Sequence, residues 1–169
     1  MFNASHVGDR FVNRSAVVVG GTSGMGFATA AMLVQECVAS IILGSRNLQQ
    51  GLLAQEVLEQ IARDSSSRCG VVLPSIQFVQ MDATNRASVQ RMFAASKIRI
   101  DVVVHTAAIP GWTGDFAAIP NAAFLGRHDA VFNNLYGGVF VLQETLRYWK
   151  SHPSTTVTHD ALVLVSSEQ

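Results

Sequence analysis

Three glycines at the spacing of a phosphate-binding loop follow the first apolar run of the chain. Gly20, Gly24 and Gly26 come after the β-branched run 16–19, and a small-residue, helix-forming run follows them. Gly20 lets the chain leave the strand in a conformation that a Cβ would oppose, Gly24 lets backbone approach a pyrophosphate, and Gly26 lets the helix pack closely on its strand. The helix N-terminus then offers free N–H groups to phosphate oxygens. This pattern predicts a dinucleotide site; the alternative is a glycine-rich turn that binds no ligand.

The elements that must position this loop alternate along the chain. Strands are predicted at 16–19, 40–43, 76–81, 100–105 and 161–165, and helices at 25–36, 48–61, 86–96 and 128–150. Continuous apolar strands separated by helices indicate a parallel sheet that is covered on both faces. Right-handed crossovers favour the strand order 3-2-1-4-5. The fold class is therefore α/β, a Rossmann-like doubly wound parallel sheet, with a ligand crevice at the carboxyl ends of strands one and four.

Local predictions accompany this fold. Residues 64–70, which include three serines, are expected to form a flexible surface loop, and Thr84 to cap the third helix. Residues 1–13 are interpreted as a flexible arm, and residues 14–169 as a single domain. The second helix is predicted from apolar residues at helical spacing, namely Leu48, Leu52, Leu53, Val57, Leu58 and Ile61.

The composition excludes several classes of protein. The 169 residues are 49% hydrophobic and 14% charged, which is typical of a globular domain and not of a disordered chain. The net charge is zero, so no general attraction to nucleic acid or to an anionic membrane is expected. Residues 15–35 carry no charge, but glycines divide them into apolar pieces too short to span a bilayer. Cys37 and Cys69 lack metal-ligand spacing, so no metal site is predicted and both are interpreted as reduced thiols of a cytoplasmic protein.

The glycine loop and the strand ends resemble those of the short-chain dehydrogenase/reductase family. The loop is similar to the family's Thr-Gly-x-x-x-Gly-x-Gly, with Val19 where threonine is usual. Asp82, after strand three, matches the residue that contacts the adenine ring; the alternative is a turn or N-cap residue. Residues 105–108 stand where the family usually has Asn-Asn-Ala-Gly, and His105 is interpreted as a hydrogen-bonded core histidine. The resemblance implies these cofactor-binding residues: Gly20, Thr22, Ser23, Gly24, Met25, Gly26, Ser45, Arg46, Asp82, Ala83, Ala107 and Ala108.

Arg46 bears on the choice of cofactor. An acidic residue at the end of strand two would bind the ribose 2′-hydroxyl of NAD, but Ser45 stands there and Arg46 follows. A guanidinium can bind a 2′-phosphate through two hydrogen bonds. The resemblance therefore implies NADP(H) rather than NAD(H), and the alternative is an ordinary exposed arginine at the start of a helix.

Asn134 and Ser167 match family residues that take part in the reaction. The resemblance implies that Asn134 helps to arrange a proton-relay water, with Asn133 as another match; the alternative is a buried asparagine that satisfies helix backbone. It implies that Ser167 hydrogen-bonds the reacting carbonyl, with Ser166 as its structural neighbour; the alternative is a plain strand-end serine. The family's Tyr-x-x-x-Lys pair, which holds the proton donor, does not occur in these 169 residues. The chain is therefore expected to be the first two-thirds of an enzyme, without the C-terminal strands of the family and without turnover.

Three functions follow from these observations. The first is an NADP(H)-dependent oxidoreductase that acts on a small-molecule carbonyl or alcohol substrate. The second is a non-catalytic module of the same fold that binds NADP(H) or a partner. The apolar stripe of the 128–150 helix would be exposed, and the resemblance implies a homodimer through it; the alternative is an incomplete reading of a longer gene. The third is another Rossmann-like enzyme such as a methyltransferase, against which the positions of Arg46, Asp82 and Ser167 argue. No nucleic-acid or membrane partner is predicted.

Overall fold

The fold is a parallel α/β sheet with helices on both faces. The computed structural model describes residues 10–69, 72–108, 128–154 and 160–165. The five strands follow the order β3-β2-β1-β4-β5 and all neighbours are parallel, so the predicted fold class and strand order are confirmed. The elements are β1 (Ser15–Val19), α1 (Gly24–Gln35), β2 (Ser40–Ser45), α2 (Leu48–Cys69), β3 (Ser75–Gln80), α3 (Arg86–Ala94), β4 (Val102–His105), α4 (His128–Ser151) and β5 (Ala161–Leu164). Apart from the end of α2, these bounds lie within two residues of the predicted ones.

The core lies in two layers, one on each face of β1. Ala16 and Val18 belong to the layer under α1 and α2, whereas Val17 and Val19 belong to the layer under α3 and α4. Both faces of the strand are therefore buried, which explains its continuous apolar run. At the sheet edge β5 differs, because about half of the Val163 side chain is exposed.

Helix α2 buries only some of the apolar residues whose spacing predicted it. Leu48, Leu52, Leu53 and Val57 are exposed, whereas Leu58 is fully buried. The buried stripe consists of small residues around Leu58, and at Gly51 the Phe78 ring of β3 lies directly against the helix. A Cβ at Gly51 would collide with the Phe78 ring. The stripe comprises Gly51, Ala54, Leu58, Ala62 and Ser65, with Ile61 partly buried beside it.

The end of α2 corrects two predictions. Residues 64–69 are helical rather than a loop, and Cys69 forms a disulfide with Cys37 instead of remaining a reduced thiol. Cys37 has φ of +65° directly after α1, where its N–H and the next N–H bond back to carbonyls of the last helical turn. The covalent bond holds the last turn of α2 against the corner between α1 and β2. This accounts for a helix that continues through a serine-rich segment.

The start of α3 also differs from the prediction. Asn85, not Thr84, is the N-cap, and its side chain accepts the N–H of Ser88 at 3.0 Å. Thr84 instead donates its N–H and its hydroxyl to Oδ1 of Asp82, at 2.9 and 2.7 Å. The carboxylate therefore organises the turn between β3 and α3.

The residues directly before the domain are attached to α1. Arg10–Asn13, which the sequence assigned to the arm, form a turn. The Arg10 guanidinium lies 2.7 Å from the Glu36 carboxylate, and the N–H of Phe11 donates to the Glu36 carbonyl. None of the described helices is long and apolar enough to cross a membrane.

Candidate functional site

A cleft of about 340 Å³ opens at the carboxyl ends of β1 to β4. All twelve residues that the sequence assigned to the cofactor lie on its wall, and so does Asn134. Their roles in binding stay predictions, but the fold brings them to one place. Sequence reasoning missed five further wall residues: Gly44, Asn47, Gln50, Met81 and Thr106.

Three glycines of the loop lack a side chain where the loop borders the cleft. Gly20 and Gly24 have φ of +83° and +52°, a region that disfavours residues with a Cβ. A Cβ on Gly26 would collide with the Gly20 carbonyl and with the Thr106 hydroxyl, whereas one on Gly24 would meet nothing within 4 Å. The loop and α1 are thus in close contact at Gly26, and Gly24 borders open space.

The N-terminus of α1 faces this space without a polar side-chain cap. Ser23 is the N-cap, with an extended backbone, and its side chain makes no capping hydrogen bond within the described residues. The first turn contains no acidic residue. The N–H groups and the positive end of the helix dipole are therefore available to an anion. This local environment fits the pyrophosphate of a dinucleotide.

Thr106 joins β4 to the glycine loop. Its N–H and its hydroxyl both donate to the Val19 carbonyl, at 2.8 and 3.0 Å. The same side chain packs against the positions where Gly20 and Gly26 lack a Cβ. The signal was present in the strand order, because the residue after β4 must lie beside the residue that follows β1.

The far end of the cleft carries a hydroxyl and a guanidinium. Ser45 Oγ is buried and has no hydrogen-bond partner in the part of the chain that the structure describes. Arg46 is exposed on the cleft wall and takes part in none of the ion pairs found there. A buried donor without a partner costs free energy unless a ligand or a water satisfies it. A hydroxyl beside a cation fits a phosphorylated ribose.

Asp82 occupies the position that the adenine prediction requires, at the end of β3 on the cleft wall. Its carboxylate accepts the two hydrogen bonds from Thr84 described above. Its own N–H donates to the Ser88 hydroxyl at 3.1 Å. The turn role is therefore present, and the adenine contact remains a prediction that is compatible with it.

Two glycines bring α4 close to the sheet. An added Cβ would lie 3.2 Å from Ala83 at Gly137 and 3.6 Å from the His105 ring at Gly138. Asn134, one turn earlier, lies on the cleft wall as a result. Ser166 and Ser167 lie outside the described residues, and so does the side chain of Asn133, although its main chain belongs to α4.

His105 is a buried histidine, as expected, but it is not fully hydrogen-bonded. It is 4% exposed, and its Nδ1 has no partner among the residues that the structure describes. Burial lowers the pKa of the imidazole, because the charged form would lose its hydration. The ring is therefore neutral at neutral pH.

Comparison with known proteins identifies the family. A short-chain dehydrogenase named anuD, from Penicillium roqueforti (strain FM164), is 32% identical over 112 residues, or 66% of this chain. Residues 15–114, more than half of the chain, match the family model described as KR domain. This chain belongs to the short-chain dehydrogenase/reductase family. The family is one of oxidoreductases that bind a nicotinamide cofactor and act on small molecules.

Solved structures of other proteins share the fold. A short-chain type dehydrogenase/reductase from Mycobacterium ulcerans is 25% identical, covers 93% of this chain and superposes with a TM-score of 0.73. An actinorhodin polyketide ketoreductase solved with NADPH is 22% identical over 91% of this chain, with a TM-score of 0.69, which is a likeness of fold. This chain spans 27% of the Penicillium protein, 52% of the Mycobacterium chain and 53% of the ketoreductase chain.

Proposed function

We propose that this chain is the nucleotide-binding part of an NADP(H)-dependent oxidoreductase that acts on a carbonyl or alcohol substrate. The observation that carries the proposal is the cleft itself. The uncapped N-terminus of α1 lies on the same wall as the exposed Arg46 and the unpartnered Ser45 hydroxyl. A site with an anion-binding helix end and a second cationic group matches a dinucleotide with an additional phosphate.

Different residues of the cleft would bind different parts of the cofactor. The N–H groups of the first turn of α1 would bind the pyrophosphate, and Gly24 leaves room for it. Arg46 and Ser45 would bind the 2′-phosphate, and Asp82 with Ala83 would border the adenine. The nicotinamide would pass Ala107 and Ala108 toward Asn134. When bound, NADPH would supply a hydride, and the residues named above would hold and orient the cofactor.

The catalytic assignment is also a proposal. Asn134 would arrange a proton-relay water from α4, and Ser167 would hydrogen-bond the carbonyl oxygen beyond the end of β5. Neither tyrosine of the sequence is followed by a lysine four residues later, since Phe140 and His152 occupy those positions. We therefore expect residues 1–169 to bind NADPH without measurable turnover.

Exposed apolar residues on α4 favour a second candidate, a non-catalytic module that binds the cofactor and a second copy of the chain. Leu135 and Leu146 are each more than half exposed, and Tyr136 beside them is 44% exposed. A homodimer through residues 128–150 would cover these residues.

The cytoplasmic location stays a prediction, and a structural disulfide is uncommon in that compartment.

A fluorescence titration of the 169-residue chain with NADPH and NADH tests the proposal. We expect tighter binding of NADPH, and Arg46→Ala should weaken it by about 10- to 100-fold because a charge-assisted bidentate contact is lost. The affinity for NADH should not change. Arg63→Ala, on the exposed far half of α2, is the matched control and should leave both affinities unchanged. Equal affinity for the two cofactors would contradict the choice of NADP(H), and absent binding of both would contradict the site.

A further inference from the structure

The backbone of Arg46 is fixed, although its side chain is exposed. On one side, the Ser45 carbonyl accepts the N–H of Met81 at 2.8 Å, which extends the β2–β3 ladder. On the other side, Asn47 Oδ1 accepts an N–H of the first turn of α2 at 3.0 Å. The Arg46 carbonyl between them accepts the side-chain amide of Gln80, with Nε2 at 3.0 Å.

The Gln80 contact differs in kind from the other two. A continued ladder and a helix cap arise at many strand–helix junctions. Gln80 lies 34 residues away in sequence, and its side chain extends over the end of β2 to the Arg46 carbonyl. Without it, that carbonyl would have only water as a partner, and the peptide between residues 46 and 47 could rotate. Such a rotation would change ψ of Arg46 and φ of Asn47, so the main chain that carries the arginine side chain would no longer be held in one conformation.

The conformation of this main chain matters because the arginine side chain is long and loses rotamer entropy when it binds. A guanidinium forms two hydrogen bonds to a phosphate only if it arrives with the correct orientation. Gln80 is not among the described residues that line the cleft. We therefore expect a change at Gln80 to act through its hydrogen bond to the Arg46 carbonyl.

We propose that Gln80 is a specificity-positioning residue, which fixes the main chain of Arg46 so that the guanidinium meets the 2′-phosphate of NADP(H). The inference rests on the proposed use of Arg46. It assigns part of the preference for the phosphorylated cofactor to a strand residue outside the cleft. Gln80 itself is exposed, so its substitution leaves the core intact.

The test is a double-mutant cycle with both cofactors. Gln80→Leu removes the donor at similar volume, and we expect it to weaken NADPH binding about three- to tenfold, the range for one lost hydrogen bond. The affinity for NADH should stay within about twofold. Gln77→Leu, an exposed glutamine on the same strand, is the control and should change neither affinity. In the Arg46→Ala background, Gln80→Leu should have no further effect.

The outcomes distinguish the proposed use of Arg46 from the proposed role of Gln80. If Arg46→Ala leaves the NADPH-to-NADH ratio unchanged, the proposed function is wrong at the 2′-phosphate, and the role of Gln80 is overturned with it. If Arg46→Ala lowers the ratio but Gln80→Leu and Gln80→Ala do not, the inference about Gln80 alone is overturned. It is also overturned if Gln80→Leu weakens both cofactors equally, or still weakens NADPH when Arg46 is absent.

Discussion

The two ends of the same sheet are held together in different ways. At the amino end, Arg99 forms ion pairs with Asp101 at 2.7 Å and with Asp160 at 2.6 Å. Asp101 also accepts the N–H of Ser15 at 2.9 Å, so side chains join β1, β4 and β5. The hydrogen bond to Asp160 raises the pKa of the Arg99 guanidinium, which therefore stays charged. The carboxyl end instead depends on the glycine loop and on side chains that donate to main-chain carbonyls, as Thr106 does to Val19 and Gln80 to Arg46.

The two ends of the sheet also differ in buried polar atoms that lack a hydrogen-bond partner. Within the described residues, the two buried side-chain atoms without a partner are Ser45 Oγ and His105 Nδ1, and both lie at the carboxyl end. Saturated polar groups at one end stabilise the scaffold, whereas open groups at the other are available to a ligand. A change at the amino end of the sheet should therefore lower the free energy of unfolding but not the affinity for NADPH. A change at the carboxyl end should lower that affinity.

The largest effect on stability should come from breaking the Cys37–Cys69 disulfide, which lies at the amino end. The bond joins residues 32 apart. The loop-entropy model gives about 3–4 kcal/mol of unfolding free energy for a loop of this size, because the reduced unfolded chain regains its freedom. Urea unfolding with and without a dithiol reductant measures the loss. The affinity for NADPH, titrated in the same two conditions, should not change.

A variant in which Cys37→Ser and Cys69→Ser are combined is the control for that experiment. Its stability should match that of the reduced chain and should not respond to the dithiol. If reduction weakens NADPH binding as much as it lowers stability, the two ends of the sheet are coupled and the contrast between them is wrong. Alkylation of both cysteines in the native, unreduced chain would contradict the disulfide itself.

Gly26→Ala should give the next largest effect, at the carboxyl end. The new Cβ would collide with the Gly20 carbonyl and the Thr106 hydroxyl, so α1 must move away from the loop. We expect NADPH affinity to fall at least about tenfold and the unfolding free energy by about 1–3 kcal/mol, as in other overpacked sites. Titration and urea unfolding of the same preparation measure both.

Gly24→Asn is the matched comparison on the same loop. Its side chain enters open space, and asparagine tolerates a positive φ, so stability should change little. Affinity should still fall, because the side chain would occupy the space that borders the helix N-terminus. A Gly26→Ala chain with the affinity of the unmodified protein would show that close contact between loop and helix is not needed for binding.

These cases also show which parts of the molecule could be predicted from sequence. The glycine spacing predicted the loop because each glycine meets a local requirement of the backbone. Gly20 has a φ of +83°, and Gly26 lies in close contact with the Gly20 carbonyl. The strand order followed from alternation and handed crossovers, which are properties of the whole chain. Both kinds of signal can be recognised without knowing which side chains meet.

Contacts between distant residues could not be predicted in this way. The leucine spacing of α2 predicted a helix but not its buried face, because the contact between Phe78 and Gly51 joins residues that are distant in sequence. The pairing of Cys37 with Cys69 depends on Cα atoms that meet at 5.1 Å only after α2 has folded back. The hydrogen bond from Gln80 to Arg46 is a contact of the same kind. Ser167, beyond the described residues, stays a prediction.

The smallest effect should be a pH dependence that arises from His105. Burial lowers the pKa of its imidazole below the value of about 6.5 expected in the unfolded chain. Between these two values the unfolded state binds more protons, so stability is complete above about pH 6.5 and declines as the pH falls toward the lower pKa. His105→Asn, which introduces the residue that is usual in the family, should remove this decline. Unfolding free energies at about pH 7.5 and 5.5 measure it.

His152→Asn is the control, because that ring is exposed and stacks on Tyr148 at the far end of α4. It should show the same decline as the unmodified chain. An equal decline in His105→Asn would mean that other groups cause it. If only the His105 variant is flat, a buried, unsatisfied ring beside the cleft reduces stability on acidification, whereas the ion-paired amino end does not. That would locate the weaker end of the sheet at the end where the cofactor is proposed to bind.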